Sequence, residues 1–126
     1  MAGVKLSEKG FEYVYIVMSE LDIERPDAIR LAFAKGITDD NIPDMERRGN
    51  KSEFEFPISV VAKGDDMLLV KHLIIEKIKK RFDAKKLGYY ILMFVEHGLE
   101  IMYKEIQSLS EAENYLLYLQ EKHVSI

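Results

Sequence analysis

A mainly α-helical bundle with one or two short strands is the fold class that this 126-residue chain predicts, on three observations. Apolar residues recur at three- and four-residue spacing along most of the chain. Only seven glycines and three prolines interrupt them. Alternation at the strand period is confined to two short segments. The length is that of one domain, residues 1–126, with enough chain to bury a core without staples.

Val4-Lys5-Leu6-Ser7 alternates as a short strand, and Ser7 then caps a helix over 8–21 with Glu8 in its first turn. The stripe Phe11, Val14, Tyr15, Met18 and Leu21 is its expected inner face, with Gly10 weakening the first turn by about 1 kcal/mol relative to Ala. Arg25-Pro26-Asp27 opens a second helix over 26–35, because proline at the first position has its φ pre-set. Ala28, Ile29, Ala32 and Phe33 form its buried stripe, and Gly36 stands where a left-handed C-terminal cap is expected.

Residues 37–52 lack a period and read as a surface loop. Phe54, Phe56, Ile58 and Val60 then alternate with polar residues, and Pro57 makes this an edge or irregular strand. Gly64-Asp65-Asp66 turns into a third helix over 65–82, acidic at its start and basic at its end. Gly88 is the expected break before a fourth helix carrying Leu87, Tyr90, Ile91, Phe94, Val95, Ile101, Met102, Ile106 and Leu109. Within that stripe Gly98 would let a neighbouring helix approach closely. Ser110 with Glu113 is a capping-box pattern and predicts a separate last helix, with Tyr115, Leu116 and Leu119 inward. Residues 65–122 thus form a helical remainder after the N-terminal unit.

Zero cysteines exclude a disulfide scaffold, a Cys-based zinc site and a thiol nucleophile. The longest apolar run, Tyr89 to Val95, is too short to cross a membrane, and the first residues lack signal-peptide zones, so a cytoplasmic protein is expected. The net charge of −4 excludes an indiscriminate polyanion coat, and nucleic-acid contact must come from a local patch.

Little in the chain points to catalysis. A calcium loop starting at Asp39 needs glycine at its sixth position and glutamate at its last, where Asp44 and Asn50 stand, so Asp39, Asp40 and Asp44 read as loop and capping residues. His97 and Glu100 have a spacing used in di-metal bundles, but His72 and His123 lie elsewhere and His97 reads as structural. No strained serine elbow, Gly-rich phosphate cradle or nucleophile set appears, so no enzyme, metal or cofactor is expected.

The strongest functional signal is charge. Residues 71–86 hold seven Lys or Arg against Glu76 and Asp83, a local charge of +5. Such a density suits phosphates, and Lys77, Lys79, Lys80, Arg81, Lys85 and Lys86 are the candidate contacts. The alternative is a solvated helix end with a Glu76–Lys80 pair. Arg47, Arg48 and Lys51 form a smaller second group. Tyr89 and Tyr90 follow the basic run and read as core rather than as a stacking platform.

Strand, helix and Pro-started helix within residues 4–36 resemble a ribbon-helix-helix unit, in which two chains pair their strands in the major groove. On that resemblance Val4 and Leu6 face the core and Lys5 faces DNA. The KLS opening, RPDAIRLAFAKGI, the IPD loop, EFEF followed by Gly64-Asp65-Asp66, and FVEHGLEIM together touch most of residues 4–103, and this longer set resembles the DndE family, the small subunit of bacterial DNA phosphorothioation systems. That resemblance implies a helical oligomer, a tetramer, that binds duplex DNA with a preference for nicks through basic surface residues, beside sulfur-transferring and ATPase subunits.

Three functions follow as expectations. They are an accessory DNA-binding subunit of a modification system, a ribbon-helix-helix transcriptional regulator, and an assembly subunit that does not touch DNA. A homo-oligomer is expected on two grounds: the wide apolar face of 87–109, and an N-terminal strand with no evident partner in its own chain.

Overall fold

The computed structural model describes residues 3–44 and 49–124, with side chains through 110. The element order is β1 (Gly3–Ser7), α1 (Glu8–Leu21), α2 (Arg25–Thr38), β2 (Lys51–Pro57), a 3-10 turn (Ile58–Val60), α3 (Asp66–Ile78), a second 3-10 turn (Ala84–Lys86) and α4 (Leu87–Val124). Among the described residues the fold is mainly α with one two-stranded sheet.

Local chemistry sets several boundaries as expected. Ser7 caps α1 by accepting from the Gly10 N–H, and α1 closes at Asp22 in the left-handed region, whose N–H reaches the Met18 carbonyl. Pro26 lies in the first turn of α2. β2 stops at Pro57, which cannot donate to a ladder, and the alternation through Ile58 and Val60 continues as a 3-10 turn rather than as strand.

The strand at the N-terminus does have a partner in its own chain. β1 pairs antiparallel with β2, Val4 opposite Phe56 and Lys5 opposite Glu55, with an irregularity between Lys5 and Ser7. The Ser52 hydroxyl donates to the Leu6 carbonyl at 2.8 Å and extends this tie past the irregularity.

α4 is the spine of the molecule. Its residues Leu87, Ile91, Leu92, Met93, Phe94, Val95, Leu99 and Met102 are buried against Leu6, Val14, Val17, Ile29, Phe33 and Phe56 from the other elements. The wide apolar face of 87–109 is therefore covered largely within the chain. Together with the β1–β2 pairing, this removes both sequence grounds for an oligomer. α4 begins at Leu87, so Gly88 lies in its first turn and is not a break. It also runs through Ser110 without interruption, 38 residues or about 57 Å. The capping box at 110–113 is not used: no Gly or Pro follows Gly98, and extending an existing helix is easier than nucleating a new one.

The inner face of α1 differs from the expected stripe. Gly10, Val14 and Val17 are buried, while Tyr15 and Leu21 are 44% and 45% exposed. The helix is rotated because Gly10 faces α4, where a Cβ would meet the Glu96 carboxylate.

Gly36 also takes a different role. It sits inside α2, which continues to Thr38, and does not cap it. A Cβ at Gly36 would overlap the Phe94 carbonyl, and one at Gly98 would overlap the Ala32 carbonyl. The two helices cross backbone against backbone, with the Phe33 and Phe94 rings edge-to-face beside the crossing at 6.3 Å. Gly98→Ala is expected to lose at least about 2 kcal/mol in urea unfolding, because overpacking against a backbone outweighs the ~1 kcal/mol that alanine adds in helix propensity. Gly88→Ala, whose Cβ would meet the Val4 and Ile58 side chains at 3.2 and 3.5 Å, should change stability by less than about 1 kcal/mol. Equal effects at the two positions would refute the close crossing.

Candidate nucleic-acid interface

The basic segment forms the junction between α3 and α4. α3 ends at Ile78, four residues before the expected boundary, because Lys79 turns left-handed (φ 59°) and its N–H closes on the Ile75 carbonyl at 2.8 Å. Lys80 therefore lies beyond the helix, and Glu76 faces His72 and Lys79, each at 3.9 Å. Phe82 packs on Tyr90 with ring centroids 4.6 Å apart, and the Lys71 ammonium lies 5.8 Å above the Phe82 ring. Asp83 caps the following 3-10 turn by accepting from the Lys85 N–H at 3.1 Å.

Pinning Phe82 inward turns its neighbours outward. Lys79, Lys80, Arg81, Lys85 and Lys86 are all exposed along this junction. Lys80, Arg81, Asp83 and Lys86 surround a cleft of about 230 Å³ floored by Phe82 and Tyr90. Tyr90 belongs to the packing, whereas Tyr89 is 48% exposed beside the basic residues.

Lys77 stands apart from this group. It is half-buried, and its Nζ donates to the Asp39 carbonyl at the end of α2. Lys5 is exposed on β1 opposite Glu55, away from the face that carries buried Leu6. Lys51 opens β2 and is exposed, while Arg47 and Arg48 lie outside the described residues.

The residues considered for metal chemistry separate. His97 Nε2 pairs with Asp39 Oδ2 at 2.8 Å, and Glu100 pairs with Lys104 at 3.1 Å. Among the described residues no group of three or more His, Asp or Glu side chains is arranged to hold a metal ion, and no helix is long and apolar enough to cross a membrane.

Two further clusters join residues that no motif or spacing in the sequence connects. Glu96 accepts from the Ser7 N–H at 2.9 Å and from its hydroxyl at 2.6 Å, across 89 positions of chain. With Tyr13, Asp44, His97 and Glu100 it borders a polar cavity of about 320 Å³. Burial, followed by the nearby Glu100 carboxylate, pushes the Tyr13 phenol above its ordinary value. The second cluster is Arg25, whose guanidinium lies 4.6 Å over Phe54 and 5.8 Å over Tyr15 and donates to the Tyr15 hydroxyl at 3.2 Å. No short-range spacing signals either cluster, since each joins elements distant in sequence.

The hydrogen bond from His97, followed by the Asn41 N–H, holds the Asp39 carboxyl below its ordinary value of 3.8. A depressed folded-state pKa contributes stability above the unfolded value, and that contribution is lost as pH falls from 3.8 through the folded value. Asp39→Asn should therefore be less stable than wild type at neutral pH, with the gap closing as pH falls below about 4. Thermal unfolding of both proteins from neutral to acid pH checks this, and a pH-independent gap would refute it.

No family model and no curated protein matches this chain. Among solved structures, the crystal structure of DndE from Escherichia coli B7A, a protein involved in DNA phosphorothioation modification, matches over 81% of this chain and 97% of its own, with a TM-score of 0.59 at 15% identity. The chain has a DndE-like fold.

Proposed function

We propose that this chain is an accessory, non-catalytic subunit of a DNA phosphorothioation system that binds duplex DNA, nicked duplex included, through the α3–α4 junction. The observation that carries this reading is the coincidence of a DndE-like fold with a ridge of five exposed cations, Lys79, Lys80, Arg81, Lys85 and Lys86, on a molecule of net charge −4. Phosphate contacts from such a ridge supply affinity without sequence choice. Arg47, Arg48 and Lys5 assist. A ribbon-helix-helix regulator is less well supported, because β1 already pairs with β2 of its own chain.

Replacing Lys79, Lys80 and Arg81 by alanine should weaken binding to all duplex sequences alike. The slope of log affinity against log salt should fall by about one for every phosphate that is no longer neutralised. Lys5→Ala should matter less. An unchanged slope in the triple variant, with binding abolished by Lys5→Ala, would transfer the role to the strand. Wild-type protein that binds neither intact nor nicked duplex at low salt would leave only a non-DNA-binding assembly subunit.

Within such a system we expect a homo-oligomer, a tetramer, working beside other subunits. Its support is the outer face of α3, where Leu68, Leu69 and Leu73 are 77%, 56% and 41% exposed. Light scattering at micromolar concentration should give a multiple of 14.6 kDa, and a mass near 14.6 kDa would refute the oligomer.

A further inference from the structure

We propose that Lys77, Asp39 and His97 form a clasp that sets where the basic ridge sits on the molecule, making them positioning residues of the nucleic-acid surface and not contacts to it. The inference rests on the function proposed above for the ridge; the clasp itself is a matter of packing.

Within its own chain α3 is lightly anchored. It buries Val70 and Ile74 and leaves Leu68, Leu69 and Leu73 largely exposed. Its last turn also fixes the direction of the ridge, because the left-handed Lys79 follows immediately and residues 80–83 lie outside any helix. Whatever holds that turn holds the ridge.

Lys77 supplies such a hold. Its ammonium donates to the Asp39 carbonyl at the C-terminal, partially negative end of α2, where a cation is favoured. Asp39 is itself held from the other side, its Oδ2 taking His97 Nε2 of α4 at 2.8 Å and the Asn41 N–H at 3.2 Å. With side-chain exposures of 17% for His97 and 31% for Asp39, this pair is better shielded than the surface pairs around it. A continuous line of bonds thus runs from α4 through the end of α2 to the last turn of α3. At its other end the ridge enters α4 directly at buried Leu87, with Phe82 packed on Tyr90. The ridge is held from both ends against one helix, which keeps its cations in a constant arrangement.

This assigns Lys77 a role distinct from that of its neighbours, and hydrogen exchange combined with salt-dependent DNA binding separates the two. In the 126-residue chain, Lys77→Met and His97→Ala should each lower amide protection at residues 75–79 about tenfold while leaving α1, residues 28–34 of α2 and residues 88–102 as in wild type. Lys77→Arg should restore it. Lys77→Met should weaken duplex binding a few-fold with the salt slope unchanged, whereas Lys79→Ala lowers the slope by about one. Unaltered protection at 75–79 in Lys77→Met, or loss spread evenly over all helices, would overturn the clasp. So would a slope lowered by one in Lys77→Met with protection intact, which would make Lys77 a phosphate contact. If wild-type protein does not bind DNA, the nucleic-acid reading and the positioning role fall together, while the exchange pattern still decides whether the clasp exists.

Discussion

The crossing of α2 and α4 at backbone contact is the constraint on which the rest of this structure depends. Ala32 and Gly36 on one helix meet Phe94 and Gly98 on the other, each pair one turn apart, so the approach extends over a full turn and not a single point. Close approach removes the space for side chains between the axes and drives Phe33 and Phe94 to the flank, where they join the buried cluster. It also delivers polar groups to one another. Asp39 lies three residues beyond Gly36 and His97 lies next to Gly98, so the geometry that brings the glycines together also brings these two within 2.8 Å.

A second buried link organises the other side of α4. Ser7 is 1% exposed, and its hydroxyl accepts from the Gly10 N–H while donating to Glu96. The Glu96 carboxylate thus stands at the positive end of α1, where a negative charge is favoured, and its two bonds to Ser7 compensate its partial removal from water. One residue of α4 thereby fixes both the corner between β1 and α1 and the face that α1 turns inward. Adjacent residues of α4, Glu96 and His97, tie α1 and the end of α2 to the same helix.

Against this well-tied scaffold, α3 and the ridge behind it are set apart by electrostatics. A chain with 22 acidic and 18 basic residues places seven of its cations within residues 71–86. Long-range attraction of a polyanion by the whole molecule is therefore weak, and the binding proposed above would draw on the local field of the ridge, which acts over about 8 Å at physiological salt. A fixed backbone at the ridge keeps that charge concentrated on one face of the molecule. Aromatic packing of Phe82 on Tyr90 and the bonded last turn of α3 both serve that end.

Whatever depends on residues within about one helical turn was determined by the sequence alone. The Ser7 cap, the proline start of α2 and the concentration of cations at 71–86 are of this kind. Each follows from a backbone donor, a fixed φ or a charge count that needs no partner from elsewhere. Tertiary structure decided the matters in which two local solutions compete. Gly36 suits a left-handed cap or a helix crossing, and Gly98, sixty-two positions away, settles it in favour of the crossing. Ser110 suits an N-cap or a helix interior, and the continuous α4 absorbs it. Lys77 reads like any cation of its run until the α2 C-terminus supplies an acceptor for it. Local propensities differ by about 1 kcal/mol, so burial and long-range hydrogen bonds of similar or larger size override them wherever the fold brings distant residues together.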